Sequence, residues 1–499
     1  MGVPTFIRSL TQTFGIRKLT KDKLADVRVH YLYFDLPSLI HQAAQKTFHY
    51  GVHANPAAQA SLANLDDDEL LGLYHKTLFE MLETAIETAA PSKGVYIAMD
   101  GVPVYAKVVQ QRMRRFVATS SLLFDPVSIT VGTVFMDRLA DRIRAWIDTR
   151  PELSYIFSDH RETGEAEHKI ADYIRTNFGE RDRHVTHVIH GLDTDILFIS
   201  LVTRHEILLW NDNESDFPQV LDVGAIRRTL VKMLGDDAPL TFVVATAVLG
   251  NDFIPRHKSL EDFGASMRVI VDILMEQRES LATRDAHGHA VVRWKPYLRF
   301  LLALAAREPE LAIAAHKKTR SSIATRATES FRFNYGVYAT SYREMVSSRH
   351  PDAQLADIGA NYIEMVAFVL SYYHDGMGAI DKDMYYRYYY APLLSDLVRG
   401  AVESVARVAR EQHWRDDDAH SEYLTPVQLM AATLPPRAFY LMSDIARLYM
   451  ENVAMVKWPS WYPNEVARDT DGYAVDHVGP VFVPIPSPGD VRAMALPSY

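Results

Sequence analysis

Short apolar runs alternate with longer stretches of helical period through the first half of the chain. Val29–Phe34, Gly94–Met99, Leu153–Phe157 and Val185–His190 are rich in β-branched and aromatic residues and carry no polar alternation. That pattern predicts strands covered on both faces, as in a parallel sheet. Ile207–Trp210 reads as a further strand. Between the strands, Leu65–Ala89 and Phe135–Asp148 are amphipathic, and Ile170, Tyr173, Ile174 and Phe178 recur at helical spacing. The repeated strand–helix–strand order predicts an α/β fold with a mostly parallel sheet flanked by helices. Thr241–Leu249 is a further apolar element, and helical periodicity follows through Glu276.

The pattern weakens from Ser280 to His350. Leu298–Ala306 reads as a helix, whereas Lys317–Arg326 is basic and rich in Ser and Thr and is expected as a mobile loop near a domain boundary. Ile363–Tyr373 and Ser395–Gln412 read as helices around the aromatic run Met384–Pro392, whose tyrosines either stack on bases or pack between domains. From Pro480 the proline-rich end is expected to lie extended over the core.

Composition narrows the class. A chain of 499 residues can bury a large core split into two domains, and its 48% hydrophobic and 23% charged residues are ordinary for a soluble protein. No run approaches the roughly 18 apolar residues of a membrane span, and no signal peptide opens the chain. Met1-Gly2 begins like a myristoylation signal, but Phe6 stands where Ser or Thr is required. The absence of cysteine excludes disulfides and thiolate metal sites. An intracellular, cytoplasmic location without a membrane is expected, with the nucleus left open. The formal charge of −10 means that any nucleic-acid binding must come from a local basic site.

The acids supply the chemistry. Glu165 and Glu167 follow one predicted strand, and Asp193 and Asp195 follow the next. In open α/β sheets that edge binds ligands. Four carboxylates gathered there could not all stay ionised without cations. Oxygen-seeking Mg2+ answers this, and two ions about 3.5–4 Å apart suit phosphodiester chemistry. Asp35 and Asp100 also end strands, and Asp252 follows the apolar element closed by Gly250. Lys107, Gln111, Arg114 and Arg115 fall within one arc of a helix directly after Asp100. Such a face beside the acids suits a terminal phosphate. His184, His187 and His190 lack ligand partners of zinc-site spacing.

The ordered motifs MGVPTFIRSL, LYFDLPSLIH, AMDGVPVYAKVVQQRMRRF, FSDHRETGEAEHKI, HGLDTDILFISL and LGNDFIP resemble the XRN-type 5′→3′ exoribonucleases. The likeness is firm over 1–275 and loose over 355–480. It implies a Rossmann-like core of the PIN/flap-nuclease type, with a mainly helical second region packed on it. It also implies that Asp35, Asp100, Glu165, Glu167, Asp193, Asp195 and Asp252 are catalytic and hold two Mg2+ ions, or Mn2+ in their place. Lys107, Gln111, Arg114 and Arg115 match a 5′-monophosphate pocket, and His41 matches a residue that stacks on the first base. The expected partner is single-stranded RNA with a 5′-monophosphate, taken to mononucleotides. The expected organisation is a nuclease core over 1–275, a helical and loop connection over 276–350, and a second region with an extended tail over 351–499.

Three positions depart from the family pattern. Pro37 replaces the usual asparagine, the link from Arg115 to Gly132 is short, and Met384 stands where a tryptophan precedes the tyrosines. The rival readings are a flap-endonuclease-like DNase and an inactive RNA-binding scaffold.

Overall fold

The five predicted strands and one further strand assemble into a six-stranded sheet in the computed structural model. Its strands are β1 (Tyr31–Asp35), β2 (Gly94–Ala98), β3 (Ser154–Ser158), β4 (Thr186–His190), β5 (Glu206–Trp210) and β6 (Val220–Asp222), in the order β3-β2-β1-β4-β5-β6. The first five run parallel, and β6 pairs antiparallel with β5. The structure describes residues 3–15, 24, 26–121, 123–191, 193–211, 220–329, 332–411, 421–473 and 479–496.

β1 shows why the strands read as apolar runs. Tyr33 faces one core, with Ile170, Ile174 and Ile189, while Leu32 and Phe34 face the other, with Leu39, Leu78 and Ile143. Both faces are therefore dry, as the missing polar alternation requires. The helices Leu36–Phe48, Asp67–Ala89 and Val134–Asp148 cover the second face. Asp67–Ala89 starts at a capping box in which Asp66 and Glu69 satisfy each other's backbone N–H groups. The helices Ala166–Asn177, Thr194–Val202 and Ala238–Thr246 cover the first face. β2 and β4 flank β1 on opposite sides, so the chain reverses direction across the sheet there and leaves a crevice at the carboxyl ends.

The apolar element at 241–249 is assigned, and one expectation is corrected. Thr241–Leu249 lies in the helix Ala238–Thr246 and the 3-10 turn Ala247–Leu249, and the helix is buried on every side, which erases its periodicity. Lys317–Arg326 is not a loop. It spans the end of the helix Glu308–Thr319 and the helix Ser322–Arg326, joined at Arg320 with φ of 52°. Ser321 caps the second helix, and Ala312, Ala315, Ile323 and Ala324 pin the pair to the core.

One apolar cluster runs from Leu10 to Ala401, crossing positions 275 and 350 without a break. The helix Leu355–His374 contributes fifteen buried residues to the interior. Between Arg115 and Gly132 the described residues hold only the end of the helix Tyr105–Phe116 and the 3-10 turn Pro126–Ser128. The extended tail crosses the helix Tyr105–Phe116. There the buried Arg112 donates to the carbonyls of Pro484 at 2.9 Å, Ala432 at 2.6 Å and Trp461, and the Tyr105 hydroxyl donates to Pro486 at 2.6 Å. Met1-Gly2 and Gln412 lie outside the described residues. Among the described residues no helix is long and apolar enough to cross a membrane.

Candidate active site

The carboxyl ends of four neighbouring strands deliver the acids to one place. Asp35 is the last residue of β1, and Asp100 lies two residues beyond β2. Glu165 and Glu167 open the helix after β3, and Asp193 and Asp195 open the helix after β4, where the helix dipole favours negative charge. Close backbone packing holds the first group together. The Asp100 carboxylate accepts from the backbone N–H of Ala166 at 2.9 Å, and the Gly101 N–H donates to the Gly164 carbonyl at 2.8 Å. A Cβ at Gly101 would stand 1.7 Å from the Glu162 carbonyl oxygen, so only glycine fits. Asp252 arrives from a different direction, on a turn that Gly250 opens at φ +78° and the Asn251 side chain closes on the N–H groups of Phe253 and Ile254.

Asp35, Asp100, Glu165, Glu167, Asp193 and Asp252 line one cavity of about 380 Å³. His41, Lys107, Gln111, Arg114 and Arg115 line it as well. The seventh acid, Asp195, meets the others through Lys107. The Lys107 ammonium lies 2.9 Å from Glu165, 3.0 Å from Asp195, 3.0 Å from Asp252 and 3.7 Å from Glu167. Lys107 therefore stands among the acids, on the cavity it shares with Gln111, Arg114 and Arg115. The other three candidates for the phosphate face lie farther along the same helix. Arg115 donates to Gln111 at 2.8 Å, and the exposed Arg114 lies 3.6 Å from Asp252. His41 stands exposed on the same cavity.

The electrostatics record an excess of negative charge. Burial pushes Glu165 up to about 7 and Asp195 to about 6, against the pull of Lys107 in both cases. Burial and then repulsion from Asp100 and Asp193 raise Asp35 well above the carboxylate range, and burial does the same to Glu167. Asp252 is the exception, because Lys107 and Arg114 hold it low despite its burial. Burial opposes the Lys107 charge, but Asp252, Glu165 and Asp195 outweigh it and keep the ammonium.

Two residues reach this cluster from the second half of the chain without having been singled out. On the helix Leu355–His374, the Tyr373 hydroxyl donates to Asp195 at 2.6 Å and the Tyr372 hydroxyl donates to Glu165. Burial and the facing carboxylates keep both phenols protonated. The only sequence signal was the pair itself inside SYYHDG, where two tyrosines on an apolar helix read as core.

The residues suit a hard divalent cation. All seven candidate donors are carboxylates, the set such ions take. Asp35 Oδ1 is buried without a hydrogen-bond partner, an acceptor left unmet. Among the described residues no three acids already surround a common point as ligands. The position where they converge is held by the Lys107 ammonium.

The sequence profile described as the XRN 5′-3′ exonuclease N-terminus matches residues 1–123 and 117–209. The 5′-3′ exoribonuclease 1 of Saccharomyces cerevisiae is 26% identical over 349 residues, covering 58% of this chain and 21% of that protein. The 5′-3′ exoribonuclease 2 of Kluyveromyces lactis is 30% identical over 261 residues, covering 41% of this chain and 25% of that protein. For the 5′-3′ exoribonuclease 1 of Homo sapiens the figures are 27% over 233 residues, 41% and 13%. The matched region is thus a quarter or less of each of these three relatives. The N-terminal region, which supplies β1 to β4 and six of the seven acids, is thus similar to the exonuclease N-terminus of the XRN family.

Proposed function

We propose that the protein is a divalent-metal-dependent 5′→3′ exoribonuclease that takes single-stranded RNA with a 5′-monophosphate to mononucleotides. The observation that carries this reading is the convergence of six carboxylates and a cationic helix face on one cavity, with Asp195 joined to them through Lys107. Asp35, Asp100, Glu165, Glu167, Asp193, Asp195 and Asp252 would hold two Mg2+ ions, with Mn2+ as a substitute. Bound there, the ions supply Lewis-acid activation of water and stabilisation of the leaving 3′-oxygen. The chain's own residues position the RNA. Arg114, Arg115 and Gln111 grip the terminal phosphate with charge-assisted, forked hydrogen bonds. His41, exposed on the same cavity, lies open to stack on the first base. Lys107 balances the acids in the metal-free protein and turns to the phosphate when cations take over that task. Tyr372 and Tyr373 fix the orientation of Glu165 and Asp195.

The test is a time course on 5′-monophosphorylated, unstructured RNA with Mg2+ or with a chelator. Mononucleotides are expected from the first time point, with Mg2+ only. Asp195→Asn is expected to retain the fold and lose turnover by orders of magnitude. Wild-type turnover in that variant would overturn the assignment of the acids.

A further inference from the structure

A second cavity, of about 190 Å³, shares a wall with the active site. Gln110, Arg114 and Asp252 line both. Its other side is aromatic, formed in part by Tyr388, Tyr389 and Tyr473. Two polar groups there are unsatisfied. Both amide atoms of Gln110 are buried without a hydrogen-bond partner, and so is Nε of Arg468. Buried donors and acceptors left unpaired are costly, and a ligand that pairs them recovers the loss. Gln110 offers a donor and an acceptor side by side, the complement of a nucleobase edge. Tyrosine rings accept any base face. The volume is below the roughly 300–1,000 Å³ of drug-sized sites, so one base fits and a dinucleotide does not.

We propose that this cavity binds the mononucleotide released by hydrolysis, with its base among the tyrosines and Gln110 and its 5′-phosphate on Arg114. The inference rests on the exoribonuclease reading for the source of its ligand. In that reaction a water oxygen joins the scissile phosphorus, the bond from that phosphorus to the 3′-oxygen of the first nucleotide breaks, and the 3′-oxygen takes up a proton. The products are a nucleoside 5′-monophosphate and an RNA with a new 5′-monophosphate. The leaving nucleotide thus keeps the phosphate that Arg114 already holds. Because Arg114 lines both cavities, the nucleotide can pass from one to the other without surrendering that contact.

The experiment titrates AMP and ribose 5-phosphate calorimetrically into the whole chain, as wild type, Gln110→Leu and Tyr388→Ala, each with its melting temperature measured. Wild type is expected to bind AMP at least about tenfold more tightly than the base-free phosphate, a margin that stacking supplies and both variants lose. AMP is expected to inhibit RNA decay competitively, because both ligands present a 5′-phosphate to Arg114. Inhibition that saturating RNA does not relieve, or an unchanged margin in stably folded variants, would overturn the proposal. The inhibition pattern is read on the wild type and stands even where a variant fails to fold. An inactive protein that still shows the AMP margin would fail the exoribonuclease reading and keep the nucleotide site, and an active one without it would do the reverse.

Discussion

The Tyr373 hydroxyl donates to the Asp195 carboxylate at 2.6 Å, joining a helix in the second half of the chain to a helix that begins at the end of β4. The two residues are 178 positions apart and both are buried. A phenol donating to one carboxylate oxygen leaves the other free for Lys107 or a cation. The second half of the chain therefore sets the orientation of a proposed metal ligand, beyond covering the sheet.

Tyr373→Phe removes this hydrogen bond and little volume. Outer-shell partners of metal ligands are worth about 10–100-fold in affinity or activity. The Mg2+ concentration for half-maximal RNA decay is expected to rise by that order, with near-wild-type rates recovered at high Mg2+. An unchanged Mg2+ midpoint would remove Tyr373 from the site.

Lys107→Met leaves Glu165, Asp195 and Asp252 without their shared buried cation. Removing one partner from a buried ion pair costs roughly 3–5 kcal/mol. The melting temperature without metal is expected to fall sharply and to recover more with Mg2+ than the wild type gains. A variant as stable as wild type in chelator would contradict the role of Lys107 as counter-charge.

Arg112 and Arg114 sit on one helix and are expected to separate stability from recognition. Arg112→Ala leaves three carbonyls without their donor, among them that of Pro484 in the tail, and hydrogen bonds to charged groups are worth about 1.5–3 kcal/mol each. Its denaturation midpoint is expected to drop and cleavage near residue 484 to appear in limited proteolysis. Arg114→Ala, exposed in the wild type, is expected to keep the midpoint and lose the preference for a 5′-phosphate. The opposite pairing of effects would reverse the two assignments.

On the proposed function, structured RNA is expected to stall decay early. The described residues between Arg115 and Gly132 add only a single 3-10 turn beyond the helix end, and Met384 replaces an aromatic whose stacking is worth about 1–3 kcal/mol per base. Release from a stable hairpin should stop at the stem, while a single strand of equal length is consumed. Equal rates on both would show that strand separation does not depend on these features.

Much of the site was legible because it obeys local rules. Asp35, Asp100, Asp193 and Asp195 each follow an apolar run, and such runs end at the ligand-binding edge of a parallel sheet. Gln111, Arg114 and Arg115 share a face because helical spacing requires it. The place of Lys107 was not legible, since it depends on how the helix Tyr105–Phe116 docks beside the sheet. Tyr372 and Tyr373 carry no local sign of a polar role, because a buried tyrosine reveals its hydroxyl partner only once the chain has folded. The helix within 241–249 was ambiguous for a related reason, as full burial removes the period that distinguishes helix from strand. At 317–326 the Ser, Thr and Lys content pointed to a loop, and the burial of Ile323 and Ala324 prevailed.

The most direct test compares three RNAs of one sequence bearing a 5′-monophosphate, a 5′-hydroxyl or a 5′-triphosphate, with Mg2+ present. In the proposed reading Arg114, Arg115 and Gln111 hold the terminal phosphate beside the acids, so a 5′-hydroxyl leaves them unpaired and a 5′-triphosphate sets the scissile bond further from the acids. The monophosphate RNA is expected to yield mononucleotides at least about tenfold faster than the other two, and Arg114→Ala to erase that margin. Equal decay of all three RNAs by the wild type would contradict the 5′-phosphate-directed exoribonuclease.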